Sequence, residues 1–242
     1  MTTKPEPSPF RIRIFADGAD VSAMLRRYRE GFVRGFTTNP TLMAKAGIRD
    51  YAAFAREVLT VIRDLPISFE VFSDDFAEME RQALLISSWG PNVNVKIPIT
   101  DTKGNPALPV IQSLLAKGVK LNVTAILTRE QWLGLRELMK ASDDVIVSIF
   151  AGRIADTGVD PVPMMAQAVE DYRSLPGAQI LWASPREALN IYQADACGCH
   201  IITATDDLIS KVQTLQGKSL AEFSLETVNM FRNDAVKAGF QL

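Results

Sequence analysis

The chain has 242 residues and a mass of 26.7 kDa, 47% of it apolar and 22% charged, enough for a sizeable core under a polar surface. Its 26 Lys and Arg against 28 Asp and Glu give a pI near 5.6 and no broad positive field for nucleic acid or an anionic membrane. One histidine, His200, and two cysteines, Cys197 and Cys199, are too few for a zinc site or a disulfide scaffold, so catalysis must come from carboxylates, lysine, hydroxyls or a borrowed cofactor.

Residues 1–10, with Pro5, Pro7 and Pro9 and no apolar stretch, read as a disordered lead rather than a signal peptide. No segment approaches the roughly 18 apolar residues of a membrane span, and a cytoplasmic location is expected. From residue 11 to residue 242 one domain is expected. Short β-branched runs recur at 11–17, 35–39, 67–72, 92–99, 120–127, 145–152, 179–184 and 200–205, each followed by an amphipathic stretch. Cap residues mark several helices: Ser73, Asp74 and Asp75 before 76–89, Thr128 and Glu130 at the head of 131–140, and Pro161 opening 162–172. Two more helical stretches follow at 206–215 and from 219 to about 238. Eight strand-helix alternations predict a (β/α)8 TIM barrel, with an additional helix at the C-terminal end. A doubly wound open sheet is the rival, but the chain has neither G-x-G-x-x-G nor a P-loop string.

In a barrel enzyme the reacting groups stand at the C-terminal strand ends. Here those ends carry Asp17; Thr37, Thr38 and Asn39; Glu70; Lys96; Asn122 and Thr124; Ser148 with Arg153 beyond; Ser184 and Arg186; and Thr203 and Thr205. Period-two alternation puts Asn94 with Lys96, Asn122 with Thr124, and Ile146 with Ser148 and Phe150 on shared faces. It also pairs Trp182 with Ser184, which would crowd the barrel interior with an indole. A lysine between Val95 and Ile97 in a buried strand is costly without a partner or a task. Lysine forms Schiff bases with carbonyls, Asp17 and Glu70 can move protons, and Arg153, Ser184 and Arg186 suit a phosphate. Together they point to a Schiff-base aldol reaction on a sugar phosphate; a Lys96–Glu70 ion pair that only holds the barrel together is the alternative. Cys197 and Cys199 read as buried thiols, and His200 as filling space at a strand start.

Five strings, in order, resemble the transaldolase family. Gly35-Phe36-Thr37-Thr38-Asn39-Pro40-Thr41 resembles its G-(V/F)-T-T-N-P-(S/T) signature, and Val95-Lys96-Ile97-Pro98 its lysine strand. Leu121-Asn122-Val123-Thr124-Ala125 is similar to its fifth strand, Ser148-Ile149-Phe150-Ala151-Gly152-Arg153 to S-P-F-V-G-R, and Ala183-Ser184-Pro185-Arg186 to A-S-F-R. The resemblance implies that Lys96 attacks the C2 carbonyl of a ketose such as fructose 6-phosphate or sedoheptulose 7-phosphate. Asp17 would take the C4 hydroxyl proton, and Glu70 would shuttle protons through a water held by Thr124. Thr38, Asn39, Asn122, Ser148 and Phe150 would line the bound three-carbon unit, and Arg153, Ser184 and Arg186 would clamp the phosphate. The dihydroxyacetone fragment would wait on Lys96 for an aldose phosphate, with no metal or organic cofactor. A homo-oligomer, from dimer to decamer, is expected.

A sister branch, the fructose 6-phosphate aldolases, resembles this chain in length and releases free dihydroxyacetone. That branch has glutamine and tyrosine where this sequence has Glu70 and Phe150, so the chemistry here resembles the transferase. Pro185 replaces a family phenylalanine, and Trp182 stands where a small residue is expected. Two further readings stay open: a catalytically silent phosphosugar-binding barrel, and a structural role in a ring in which the 219–242 tail packs on a neighbour. For that tail, the last helix covering its own barrel is the competing reading.

Overall fold

A computed structural model describes residues 9–241. The described elements run β1 (Arg13–Asp17), α1 (Val21–Glu30), β2 (Phe36–Thr37), α2 (Pro40–Lys45), α3 (Tyr51–Val61), β3 (Ile67–Glu70), α4 (Phe76–Ser87), β4 (Val93–Pro98) and α5 (Leu108–Ala116). They continue β5 (Leu121–Ile126), α6 (Arg129–Leu138), β6 (Val145–Ile149), α7 (Ala151–Asp156), α8 (Pro161–Asp171), β7 (Ala178–Trp182), α9 (Leu189–Ala196), β8 (Ile201–Thr205), α10 (Asp206–Leu215) and α11 (Leu220–Ala238). The strands pair in sequence order, all parallel, and β8 closes on β1. This is the (β/α)8 TIM barrel. The expected lead lies mostly outside the described residues; its last residue, Phe10, packs edge-on against Tyr192 with ring centroids 5.0 Å apart.

The strands in runs 35–39 and 145–152 are shorter than those runs, because each of the two already contains the cap of the next helix. Asn39 accepts from the Leu42 N–H at 3.0 Å, so β2 stops at Thr37 and α2 begins at Pro40. Phe150 is likewise the entry to α7 rather than strand. Asp75 caps α4, and capping boxes open α6 (Thr128 with Gln131) and α11 (Ser219 with Glu222).

The core has two layers. The larger lies between barrel and helices and includes Phe36, Val95, Val123, Val147, Ile180 and Ile202. The smaller plugs the barrel itself: Phe15, Ile146, Leu181, Ala183 and Ile201. Burying each such side chain fully contributes about 1.5–3 kcal/mol. Gly35 makes room for the plug, since a Cβ there would stand 2.6 Å from the Phe15 ring.

Trp182 belongs to the outer layer and does not crowd the interior. Leu181 of β7 and Ala183 just beyond it belong to the inner plug instead. Parity counted from Ser184 fails because the chain has left the strand there: Ser184 has φ 61°, in the left-handed region. The Trp182 indole N–H is buried and makes no hydrogen bond.

Helix α11 does not cover its own barrel. None of its residues is buried, and Leu220, Leu225, Val228, Phe231 and Val236 are exposed along it. No helix among the described residues is long and apolar enough to cross a membrane.

Candidate active site

Above the Phe15 plug the interior turns polar and opens at the C-terminal strand ends into a cavity of about 560 Å³, a size suited to a small metabolite. Lys96 reaches into it from β4. The ammonium lies 3.0 Å from Glu70 Oε2 on the neighbouring strand, an ion contact without hydrogen-bond alignment, and donates to the Thr38 carbonyl at 3.3 Å. Parallel pairing places Glu70 opposite Lys96, and Lys96 opposite Asn122, so the three side chains share one level.

Asp17 ends β1. Its Oδ1 accepts from Thr37 Oγ1 at 2.7 Å, and that hydroxyl is also bonded to Thr203 Oγ1 on β8. Burial pushes the Asp17 carboxyl above its ordinary range, against the opposing pull of the Lys96 charge and the Thr37 hydrogen bond. That is the environment of a carboxyl that both takes and returns a proton.

Asn122 is held by two hydroxyls: it donates to Ser68 Oγ at 2.9 Å and accepts from Ser148 Oγ at 2.6 Å. Two residues further along β5, the Thr124 hydroxyl is buried, lines the cavity and has no hydrogen-bond partner among the described residues. A hydroxyl so placed is left to bond a water or a substrate oxygen. Ala125, with φ 61°, sits within a register shift in β5 and lines the cavity as well.

The far wall carries the cations. Ser184, Arg153 and Arg186 all line the cavity. Gly152 lets the first turn of α7 meet the Ser184 loop, because a Cβ there would lie 1.6 Å from the Ser184 carbonyl oxygen. The arginines differ. Arg186 forks onto Asp156, with Nε 2.9 Å from Oδ1 and an ion pair from Nη2 to Oδ2, whereas Arg153 lies over the Phe150 ring, 5.8 Å from its centroid. Asn190 fixes the loop by accepting from the Arg186 and Glu187 N–H groups at 2.7 and 3.1 Å.

Of the expected residues, Asp17, Asn39, Glu70, Lys96, Asn122, Thr124, Ser148, Phe150, Arg153, Ser184 and Arg186 meet around one cavity. Thr38 does not join them. Its side chain is fully buried and donates to the Ser68 carbonyl at 2.9 Å, because alternation on β2 turns Thr37 and Asn39 inward and Thr38 outward. Thr37 lines the cavity beside Asp17, and Thr203 and Ser68 extend the hydrogen-bond network. Tyr51 has no local sequence signal. Its hydroxyl accepts from the Glu70 N–H at 2.7 Å and donates to the Glu70 carbonyl at 3.1 Å, and burial keeps it protonated. It is a positioning residue for Glu70.

His200 stands at the opposite, N-terminal end of the barrel. Its Nδ1 accepts from the Ile180 N–H at 3.0 Å, and burial with the nearby Arg13 charge lowers its pKa. No hydroxyl of the cavity is within reach of it, so a histidine triad is excluded. Among the described residues no group of three or more His, Cys, Asp or Glu could hold a metal ion.

Residues 14–242 match the family described as Transaldolase/Fructose-6-phosphate aldolase. The chain belongs to that family. It is 35% identical to a "Probable transaldolase" of Dehalococcoides mccartyi over 193 residues, 79% of this chain and 86% of that one. It is 35% identical to another of Streptococcus agalactiae over 205 residues, 84% and 90% of the two chains. A "Probable transaldolase 2" of Listeria monocytogenes is 34% identical over 203 residues, 83% and 88%. Solved structures such as 2,3-dimethylmalate lyase (TM-score 0.54, 13% identity, 95% and 94% coverage) share the barrel alone. The same holds for orotidine 5'-monophosphate decarboxylase from Metallosphaera sedula (TM-score 0.54, 10% identity, 84% and 95% coverage). Membership in the transaldolase/fructose-6-phosphate aldolase family makes the cavity around Lys96 the candidate active site of a transaldolase-type enzyme.

Proposed function

We propose that the protein is a Schiff-base transaldolase, moving a dihydroxyacetone unit from a ketose phosphate such as fructose 6-phosphate or sedoheptulose 7-phosphate to an aldose phosphate. The observation that carries this reading is Lys96, buried at a strand end with Glu70 at 3.0 Å and a carboxyl of raised pKa, Asp17, in the same cavity. The neutral amine adds to the C2 carbonyl, and the carbinolamine loses water to give the iminium; Glu70 takes and returns these protons through a water on Thr124. Asp17 takes the C4 hydroxyl proton as the C3–C4 bond breaks, and the aldose phosphate leaves. The enamine on Lys96 then adds to the aldehyde of the acceptor, and the steps run backward. Asn39, Asn122 and Ser148 hold the three-carbon hydroxyls. The chain needs no metal or organic cofactor for this sequence, whose electron sink is the iminium itself.

The choice between transfer and release rests on Phe150. Release of dihydroxyacetone requires protonation of the enamine, and Phe150 brings an apolar ring to the cavity wall where a hydroxyl would hold a proton-donating water. An assay of free dihydroxyacetone with fructose 6-phosphate alone, and with erythrose 4-phosphate added, tests this. Wild type should transfer far faster than it releases. Phe150→Tyr should raise release, up to the order of 10²-fold where proton transfer limits. Release by wild type as fast as transfer would make the protein a fructose 6-phosphate aldolase instead.

The two arginines should separate at the phosphate end. Arg153 forms no close ion pair among the described residues and feels Asp156 only at longer range, so Arg153→Ala loses a charge-assisted contact of about 1.5–3 kcal/mol and raises KM for phosphorylated donors roughly 10- to 150-fold. Arg186 must first give up Asp156, an exposed ion pair worth at most about 1 kcal/mol, and its removal should cost less. Neither variant should change KM for unphosphorylated dihydroxyacetone; equal effects on both substrates would make these arginines structural.

The exposed apolar side chains of α11 favour assembly with further copies of the chain, since so large an uncovered apolar face on a soluble monomer invites association.

A further inference from the structure

The turn between α9 and β8 reads Cys197-Gly198-Cys199-His200 and lies at the end of the barrel away from Lys96. It holds both cysteines of the chain, and both are free thiols. Their spacing comes from the helix end. Cys197 caps α9, Gly198 takes φ 83° and reverses the chain, and the Cys199 N–H returns to the Ala194 carbonyl at 3.0 Å. The two Sγ atoms are thereby held 3.5 Å apart.

The pair is asymmetric. Cys199 is buried at 5% exposure, whereas Cys197 is half-buried rather than fully enclosed. Both border a surface cavity of about 440 Å³ that Arg11, Arg13, Asp195 and His200 also line. The hydrogen bond from Cys199 lowers the Cys197 pKa, against burial and the Asp195 charge, while the same contact and burial push Cys199 up. The accessible thiol is the more acidic, and its neighbour carries the proton.

We propose that Cys197 and Cys199 form a redox-active dithiol, in which Cys197 reduces a hydroperoxide and Cys199 resolves the product to an intramolecular disulfide. In the first step Cys197 sulfur bonds the distal peroxide oxygen, the O–O bond breaks, and the departing oxygen leaves protonated as water or an alcohol. In the second, Cys199 sulfur attacks Cys197, the S–O bond breaks, and the hydroxide leaves as water with the Cys199 proton. Two thiols are oxidised by two electrons and one peroxide is reduced. The sulfurs close from 3.5 Å to about 2.05 Å, a movement of side-chain rotation and of the glycine between them. This site is independent of the chemistry at Lys96, and the disulfide would be a reversible one rather than a scaffold.

The test uses the full chain, hydrogen peroxide, and alkylation of the remaining thiols after denaturation, read by mass on the tryptic peptide 187–211. The expected result is loss of both alkylatable thiols with the mass of two hydrogens removed, reversed by dithiothreitol, and no disulfide-linked dimer. Cys199→Ser should leave a sulfenic acid on Cys197 that a 1,3-dione traps, and Cys197→Ser should leave Cys199 reduced. Any of three results would overturn the proposal: thiols that stay reduced at peroxide levels oxidising free glutathione, oxygen additions that dithiothreitol does not reverse, or bonds formed only between chains.

Discussion

Lys96→Ala should abolish turnover, by the order of 10⁴-fold or more, because no other amine among the described residues lines the cavity to take over the covalent step. Incubation of wild type with fructose 6-phosphate and borohydride should leave one stable adduct, found by peptide mass on Lys96. The alanine variant confounds two effects, since removing the ammonium strands Glu70 in a partly buried site without its partner. Lys96→Arg separates them. It keeps a cation beside Glu70 and the Thr38 carbonyl, yet a guanidinium stays protonated and forms no Schiff base. The arginine variant should therefore unfold near the wild-type temperature while remaining inactive and unlabelled. An adduct on another lysine, or an active arginine variant, would remove the Schiff base from this reaction.

Asp17→Asn should lower kcat by about 10²–10⁴-fold and at the same time raise the thermal stability of the protein. The two effects share one cause. Burial favours the uncharged form, so the folded-state pKa of Asp17 lies above its unfolded value of 3.8. A group shifted in this direction stabilises the fold most below the unfolded pKa and loses that contribution as pH rises through the folded one. As pH rises above 3.8, ionisation favours the unfolded chain over the buried Asp17, a cost of folding that asparagine, still able to accept from Thr37, does not carry. The gap in melting temperature between variant and wild type should be small near pH 4 and widen toward pH 7. A gap that instead narrows, or turns negative at neutral pH, would mean that attraction between Asp17 and Lys96 outweighs burial. The cost would then sit elsewhere in the site.

The residues themselves determined a good deal. Eight β-branched runs separated by capped amphipathic stretches have few compact solutions other than a closed parallel barrel, because parallel strands joined by helices are buried on both faces and must be covered twice. Lys96 between Val95 and Ile97, and the acidic and hydroxyl residues at successive strand ends, were legible because such residues in buried strands are unfavourable unless they meet. Parity correctly aligned Asn122 with Thr124 and Ser148 with Phe150, as long as the chain stayed extended.

Where it did not, only the tertiary structure decided. The left-handed turn at Ser184 breaks the parity that would have put Trp182 inside, and Trp182 packs in the outer layer. Arg186 reads as a phosphate ligand in sequence, but its partner Asp156 lies 30 residues away at the end of α7 and meets it because Gly152 admits the Ser184 backbone against that helix. Tyr51 holds Glu70 across 19 residues and two elements, and α11 leaves its apolar side chains uncovered. Alternation and capping act over a few residues and can be read along the chain. A backbone reversal, a long-range ion pair or the absence of a covering surface depends on which segments the closed barrel brings together, and no local pattern carries that information.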